Sequence, residues 1–178
     1  MSVAKRTGEG WNATSRVTTP HITALMGGDS DDDEYFHDMT EPIAEFPITS
    51  DTADAAYEAV FAPWVKDLGL RDLKVSAGFA SAVLPQKEDL QFFSGALCGQ
   101  AIMAAIDTVA VLAMMTAERP AKGTVSQNTQ FLRPAINSDL RVTTTVLRFG
   151  TTIAYGETRV TFENNDELVA HSTSEFVF

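Results

Sequence analysis

Asp107 lies inside Ala101 to Ala117, a run in which 14 of 17 residues are apolar. A helix that is apolar on every side is normally buried, and a buried carboxylate costs several kcal/mol unless it is paired, protonated or used. Two uses suit such an acid: general base toward a water, or nucleophile toward an electrophilic carbon. Hydrogen bonding to a neighbouring loop is the purely structural alternative. Gly99, eight residues earlier, falls where the helix should start. Backbone N–H groups there lack intrahelical partners, the helix dipole is positive, and a missing side chain lets an oxygen approach closely. The pattern supplies an anion-stabilising end and a carboxylate on one helix. The rise between them is about 12 Å at ~1.5 Å per residue, too far for both to serve one carbonyl within a single chain. A site shared across a twofold interface removes that difficulty.

The elements that must position these residues can be read from the flanks. Residues 1 to 49 are rich in Thr, Ser, Gly and Asp, show no sustained periodicity and are interrupted by Pro20, Pro42 and Pro47, so they read as a polar acidic arm. Residues 50 to 178 read as one domain. Ser50, Asp51 or Thr52 can cap a helix running to about Leu68, with Ala56, Val60, Phe61, Trp64 and Val65 at helical spacing and Gly69 as its stop. Leu73 to Leu84 has strand composition, and Pro85 to Phe93 reads as a loop into the apolar helix, which Pro120 and Gly123 terminate. Four strand-like runs follow, at Thr124 to Leu132, Leu140 to Phe149, Thr151 to Glu163 and Glu167 to Phe178, and are read as an antiparallel meander. Strand, buried helix and antiparallel strands make an α+β order, in which a sheet wrapped around one helix would explain why that helix is apolar all round.

The net charge of −11 belongs to one region. Between Val17 and Val65 there are eleven Asp or Glu and no Lys or Arg, while the remainder holds thirteen of each sign. A nucleic-acid-binding chain would need a basic face, which is missing here. The block Asp29, Asp31, Asp32, Asp33, Glu34 reads as a solvated acidic segment. It fails as a calcium loop, because Glu34 stands where the sixth-position Gly is required and Thr40 where the bidentate Glu should be. No metal or cofactor is called for. The apolar run is not read as a membrane span, since a central Asp costs about 2.5 to 3.5 kcal/mol on insertion scales and neither end carries a Lys/Arg cluster. The single cysteine, Cys98, excludes an intrachain disulfide, and the opening residues lack the apolar stretch of a secretory signal, so a cytoplasmic location is expected.

The ordered motifs Cys98-Gly99-Gln100, Asp107-Thr108 and Asn128-Thr-Gln-Phe131-Leu-Arg133-Pro134-Ala135 resemble the hotdog-fold acyl-CoA thioesterases, in particular their PaaI-like branch. That branch opens its central helix with His-Gly-Gly, so Cys98 replaces the His and Gln100 the second Gly. The resemblance runs from about Leu68 to Phe178. It implies an antiparallel sheet around a central helix, and hydrolysis of an acyl-CoA to free acid and thiol. The Gly99 N–H would be the oxyanion donor, Asp107 the general base or nucleophile, and Thr124 the hydroxyl that holds the attacking water. It also implies self-association as a dimer or a dimer of dimers. Cys98 and Gln100 are candidates for substrate binding, Phe92, Phe93 and Met103 for the acyl pocket, and Arg133, Lys122 and Arg148 for the phosphates of coenzyme A. Three alternatives stand beside this reading. A hydratase or dehydratase of the same fold would need a catalytic His, and none lies on or beside the central helix in the sequence. A non-catalytic acyl-ligand-binding protein of the same fold would use the pocket alone. A thiol mechanism at Cys98 would need a base, and none of His21, His37 and His171 is near it in sequence.

Overall fold

In the computed structural model, residues 46–178 are described. The acidic block from Asp29 to Glu34 and nearly all of the 1–49 arm lie outside them. The apolar segment forms helix α3, Gly99–Met114, after two short helices, α1 (Ala53–Val60) and α2 (Pro63–Lys66). Its inward residues, among them Ala105, Ile106, Val109, Leu112 and Ala113, are fully buried. At ~1.5 Å per residue its sixteen residues span about 24 Å, roughly the reach of a seven-residue strand. The helix ends at Met114, well before Pro120. There Thr116 Oγ1 donates to the Ala113 carbonyl at 2.7 Å and accepts from the Gly78 N–H at 2.8 Å, so a side chain takes up one of the last carbonyls.

Six strands wrap the helix: β1 (Arg71–Ser76), β2 (Phe79–Leu84), β3 (Gly123–Phe131), β4 (Leu140–Phe149), β5 (Ile153–Phe162) and β6 (Leu168–Val177). All pairings are antiparallel, in the order β1-β2-β4-β5-β6-β3. Alternate residues face the helix. Leu140 and Val142 of β4, Val160 of β5 and Ala170 of β6 meet α3 in one core with Leu84 of β2. This is the expected α+β architecture of a sheet around a central helix.

Three expectations about local structure need correction. The helix from about residue 50 to 68 is two pieces, because Pro63 forces the preceding Ala62 into an extended conformation (φ −61°, ψ 152°) and restarts the chain as α2. The run from Leu73 to Leu84 is a hairpin rather than one strand, turning at Gly78, whose φ of +68° suits glycine. The four late runs are not a simple meander. β4, β5 and β6 follow one another, but β3 lies at the sheet edge beside β6 and not beside β4. The connection from β3 to β4, which carries Pro134, is longer than a tight hairpin turn and takes the chain across the sheet. β3 is therefore an edge strand whose second side is unpaired among the described residues.

Candidate active site

Cys98 is the N-cap of α3, with extended φ/ψ, and its Sγ accepts from the Ala101 N–H at 3.4 Å. Gly99 is the first helical residue. A Cβ there would stand 3.3 Å from the ring of Phe131 on β3, so the missing side chain lets the strand lie close against the helix start. Two turns further along, Thr124 Oγ1 donates to Asp107 Oδ1 at 2.9 Å. The misfit acid is thus half-buried and hydrogen-bonded to a hydroxyl at the start of β3. Among the described residues it forms no ion pair.

A β-bulge produces this contact. Thr124 pairs with Phe176 and Ser126 with Glu175, which leaves Val125 as an extra residue in β3. Strict alternation would turn Thr124 and Gln127 to opposite faces, since they are three apart. With the bulge, Thr124, Gln127, Thr129 and Phe131 stand opposite Phe176, Ser174, Ser172 and Ala170 of β6. Those four β6 residues are buried beneath the helix. Three contacts follow along one stripe of α3: Gly99 with Phe131, Met103 with Gln127 and Asp107 with Thr124. Positions 99, 103 and 107 are four apart, one helical turn each. Along this stripe the helix is incompletely buried, with Met103 40% exposed and Asp107 half-buried.

The two ends of the stripe do not share a cavity. The Gly99 end opens into a cavity of about 710 Å³ lined by Phe92, Leu97, Gln100, Ile102, Met103, Phe131, Leu132, Arg133 and Pro134, among others. Asp107 and Thr124 lie beyond its lining. Of the residues expected at the pocket, Phe92, Gly99, Gln100, Met103 and Arg133 are brought together. Phe93 lines no described cavity and is fully exposed. Cys98 faces a second cavity of about 480 Å³ on the other flank of the helix start, with Trp64, Lys87 and Leu90. The residues overlooked in the sequence are Phe131 and Leu132, although both sit in the Asn128 to Ala135 motif, and Gln127, for which no signal existed.

Arg133 is ion-paired with Glu167, and Lys122 and Arg148 line neither cavity. His171 stands opposite Arg159 on the sheet face away from α3 and is hydrogen-bonded to Glu157 at 2.7 Å, so it is no base for Cys98. His21 and His37 lie outside the described residues. No described helix is long and apolar enough to cross a membrane.

Residues 95–169 match the model of the thioesterase superfamily, a span that contains Gly99, Asp107 and Thr124. No curated protein matches the chain. Among solved structures, zebrafish thioesterase superfamily member 2 is similar with a TM-score of 0.67 at 24% identity, over 73% of this chain and 98% of that one. The PaaI protein of the Escherichia coli phenylacetic acid degradation operon gives a TM-score of 0.61 at 18% identity, over 72% of this chain and 95% of that one. A mutant of the phenylacetic acid degradation protein PaaI from Thermus thermophilus gives 0.59 at 23%, over 65% and 98%. Residues 95–169 thus carry the sequence pattern of the thioesterase superfamily, and the fold that holds them is the hotdog fold of the PaaI-like proteins.

Proposed function

We propose that this protein hydrolyses an acyl-CoA thioester to the free acid and coenzyme A, at a site completed by two copies of the chain. The observation that carries the reading is the hydrogen bond from Thr124 to Asp107 on the open stripe of an otherwise buried helix. Thr124 occupies Oδ1 and leaves Oδ2 for chemistry. As a base, Oδ2 takes a proton from water while the water oxygen bonds to the acyl carbon; the C–S bond then breaks and the thiolate leaves with a proton. As a nucleophile, Oδ2 bonds to the acyl carbon, expels the thiolate, and water later cleaves the anhydride. Either route develops negative charge on the acyl oxygen, which a helix-terminal N–H such as that of Gly99 would stabilise.

The second copy is needed because Gly99 and Asp107 are about 12 Å apart along one helix. Self-association is further supported by the free edge of β3 and its exposed apolar residues, with Val125 at 56% and Phe131 at 48%. The acyl chain would occupy the cavity beside Phe92, Met103 and Phe131. A panel of acyl-CoA thioesters, followed by trapping of the released thiol, tests the reading. Turnover of at least one member supports it. Saturable binding of acyl-CoA with no thiol released from any member would overturn it in favour of a binding protein. Single turnover in H₂¹⁸O is diagnostic in one direction: unlabelled acid, with label in Asp107, identifies Asp107 as a nucleophile whose anhydride water opens at the Asp carbon, whereas labelled acid is produced by a base and equally by water attack at the acyl carbon of the anhydride.

A further inference from the structure

Gln127 lies between the two ends of the stripe and joins strand to helix. Its Nε2 is 3.3 Å from the Met103 carbonyl oxygen and 3.3 Å from Thr129 Oγ1. A carbonyl only accepts, so the nitrogen and not the oxygen of the amide faces it. The rest of the chain of bonds has one consistent direction. Ser172 Oγ donates its single proton to the Asn128 carbonyl at 3.1 Å, so across the 2.9 Å contact Thr129 Oγ1 must donate to Ser172. Thr129 then accepts from Gln127, and both amide protons of Gln127 are committed. Such a directed chain anchors the side chain through β3 into β6.

The other end of the tether matters for chemistry. Within α3 the Met103 carbonyl is also the acceptor for the Asp107 N–H, four residues on. One oxygen therefore receives both the side chain from β3 and the backbone of the acid. On the β6 side the Thr124–Asp107 contact is held by the pairing of Thr124 with Phe176 and of Gly123 with Val177, but β3 is an edge strand, Thr124 is exposed and the ladder is broken at Val125, so Gln127 adds a second side-chain tie from β3 to α3 across the bulge.

We propose that Gln127 is a positioning residue for the reaction, tying β3 to the turn of α3 that carries Asp107 and so holding the Thr124 hydroxyl on the carboxylate across the bulge. This rests on the hydrolytic reading above. The test uses the full chain and two variants. Gln127→Met keeps length and removes both hydrogen bonds, and Gln127→Asn keeps the amide but is one methylene too short. Both should lower kcat about tenfold, no more than loss of the Thr124 hydroxyl itself, with KM changed less than about twofold; a misplacement of 1 Å can cause ~100-fold. Amide hydrogen exchange at Asp107 should quicken about tenfold while β4 and β5 are unchanged. Combined with Thr124→Val, Gln127→Met should add almost nothing to the loss, since both act through one contact.

Several outcomes decide the matter. Unchanged kcat and unchanged exchange in Gln127→Met overturn the proposal while leaving the hydrolase intact, and so does full multiplication of the two losses in the double variant. Wild-type protein that releases no thiol overturns the hydrolytic reading instead. Exchange at Asp107 then decides the tether, with faster exchange upholding it and unchanged exchange refuting it. If Gln127→Met does not fold, Gln127→Asn gives the same readouts.

Discussion

Replacing Thr124 by Val deletes one hydroxyl while keeping shape and strand preference, which makes it the sharpest perturbation of the site. The lost interaction is a hydrogen bond of 2.9 Å to an ionisable oxygen of Asp107. Bonds of this kind contribute about 1.5–3 kcal/mol, and the exposure of Thr124 beside a half-buried Asp107 places this one at about 1.5–2 kcal/mol. If the bond orients the carboxylate in the transition state, its loss adds that energy to the barrier. At ~1.36 kcal/mol per decade, kcat should fall about 13- to 30-fold. KM should hold, because the cavity lined by Phe92 and Phe131 is untouched. Thr124→Ser retains the hydroxyl and should stay within about threefold of wild type. The measurement is steady-state thiol release across substrate concentrations, with a thermal melt to show that each variant is folded. The reasoning is refuted if Thr124→Val keeps kcat within twofold while Asp107→Asn is inactive, or if the whole effect appears in KM.

Asp107→Asn should keep the fold and lower turnover by at least about a hundredfold, whereas Cys98→Ser, whose Oγ can still cap the Ala101 N–H, should change it little; the reverse pattern would give the mechanism to the thiol. Chains carrying Gly99→Pro and Asp107→Asn should each be inactive alone, yet an exchanged equal mixture should regain about a quarter of wild-type activity, since half the dimers are mixed and each rebuilds one of two sites. Proven subunit exchange with no recovery would refute the shared site. The Tyr57 phenol is held above its ordinary value of 10.0, first by burial and then by the Glu58 and Asp67 carboxylates. The folded state therefore retains the proton where the unfolded chain loses it, so this stability is complete below pH 10 and declines as pH rises beyond it. Urea melts between pH 9 and 11 should show the decline, and Tyr57→Phe should flatten it; an equal decline in both would refute the assignment.

The large features of the fold were legible because they depend on composition within one segment. A run apolar on every side has to be enclosed, and a sheet curving around it is the arrangement that encloses it; hence Ile106, Val109 and Leu112 are fully buried. What failed depended on contacts between distant segments or on one residue outweighing a periodicity. Trp64 fits the helical spacing that also contains Val65, yet it is 63% exposed, because Pro63 restarts the helix and changes its facing. The neighbour of β3 could not be read at all. Proximity in sequence favours β4, but β3 pairs with β6, a choice that only the whole sheet decides.

The site divides along the same line. Asp107 could be found by its misfit alone, and Gly99 by its place at a helix start. Thr124 came from resemblance, and Gln127 could not be found, for one geometric reason. Counting by twos along β3 groups Thr124 with Ser126, Asn128 and Gln130, and sets Gln127, Thr129 and Phe131 on the opposite face. The bulge at Val125 regroups them by moving Thr124 to the face of Gln127, and it exists only in the pairing of β3 with β6. Nothing within Gly123 to Phe131 marks Val125 as the extra residue. A bulge at a sheet edge re-aims a single side chain without disturbing the rest of the strand, which is what a hydroxyl needs in order to meet an acid fixed on a rigid helix. The residue types of the candidate site are therefore local to the sequence, while their alignment is set by register, and substitutions that shift the pairing of β3 should affect thiol release before they affect the core.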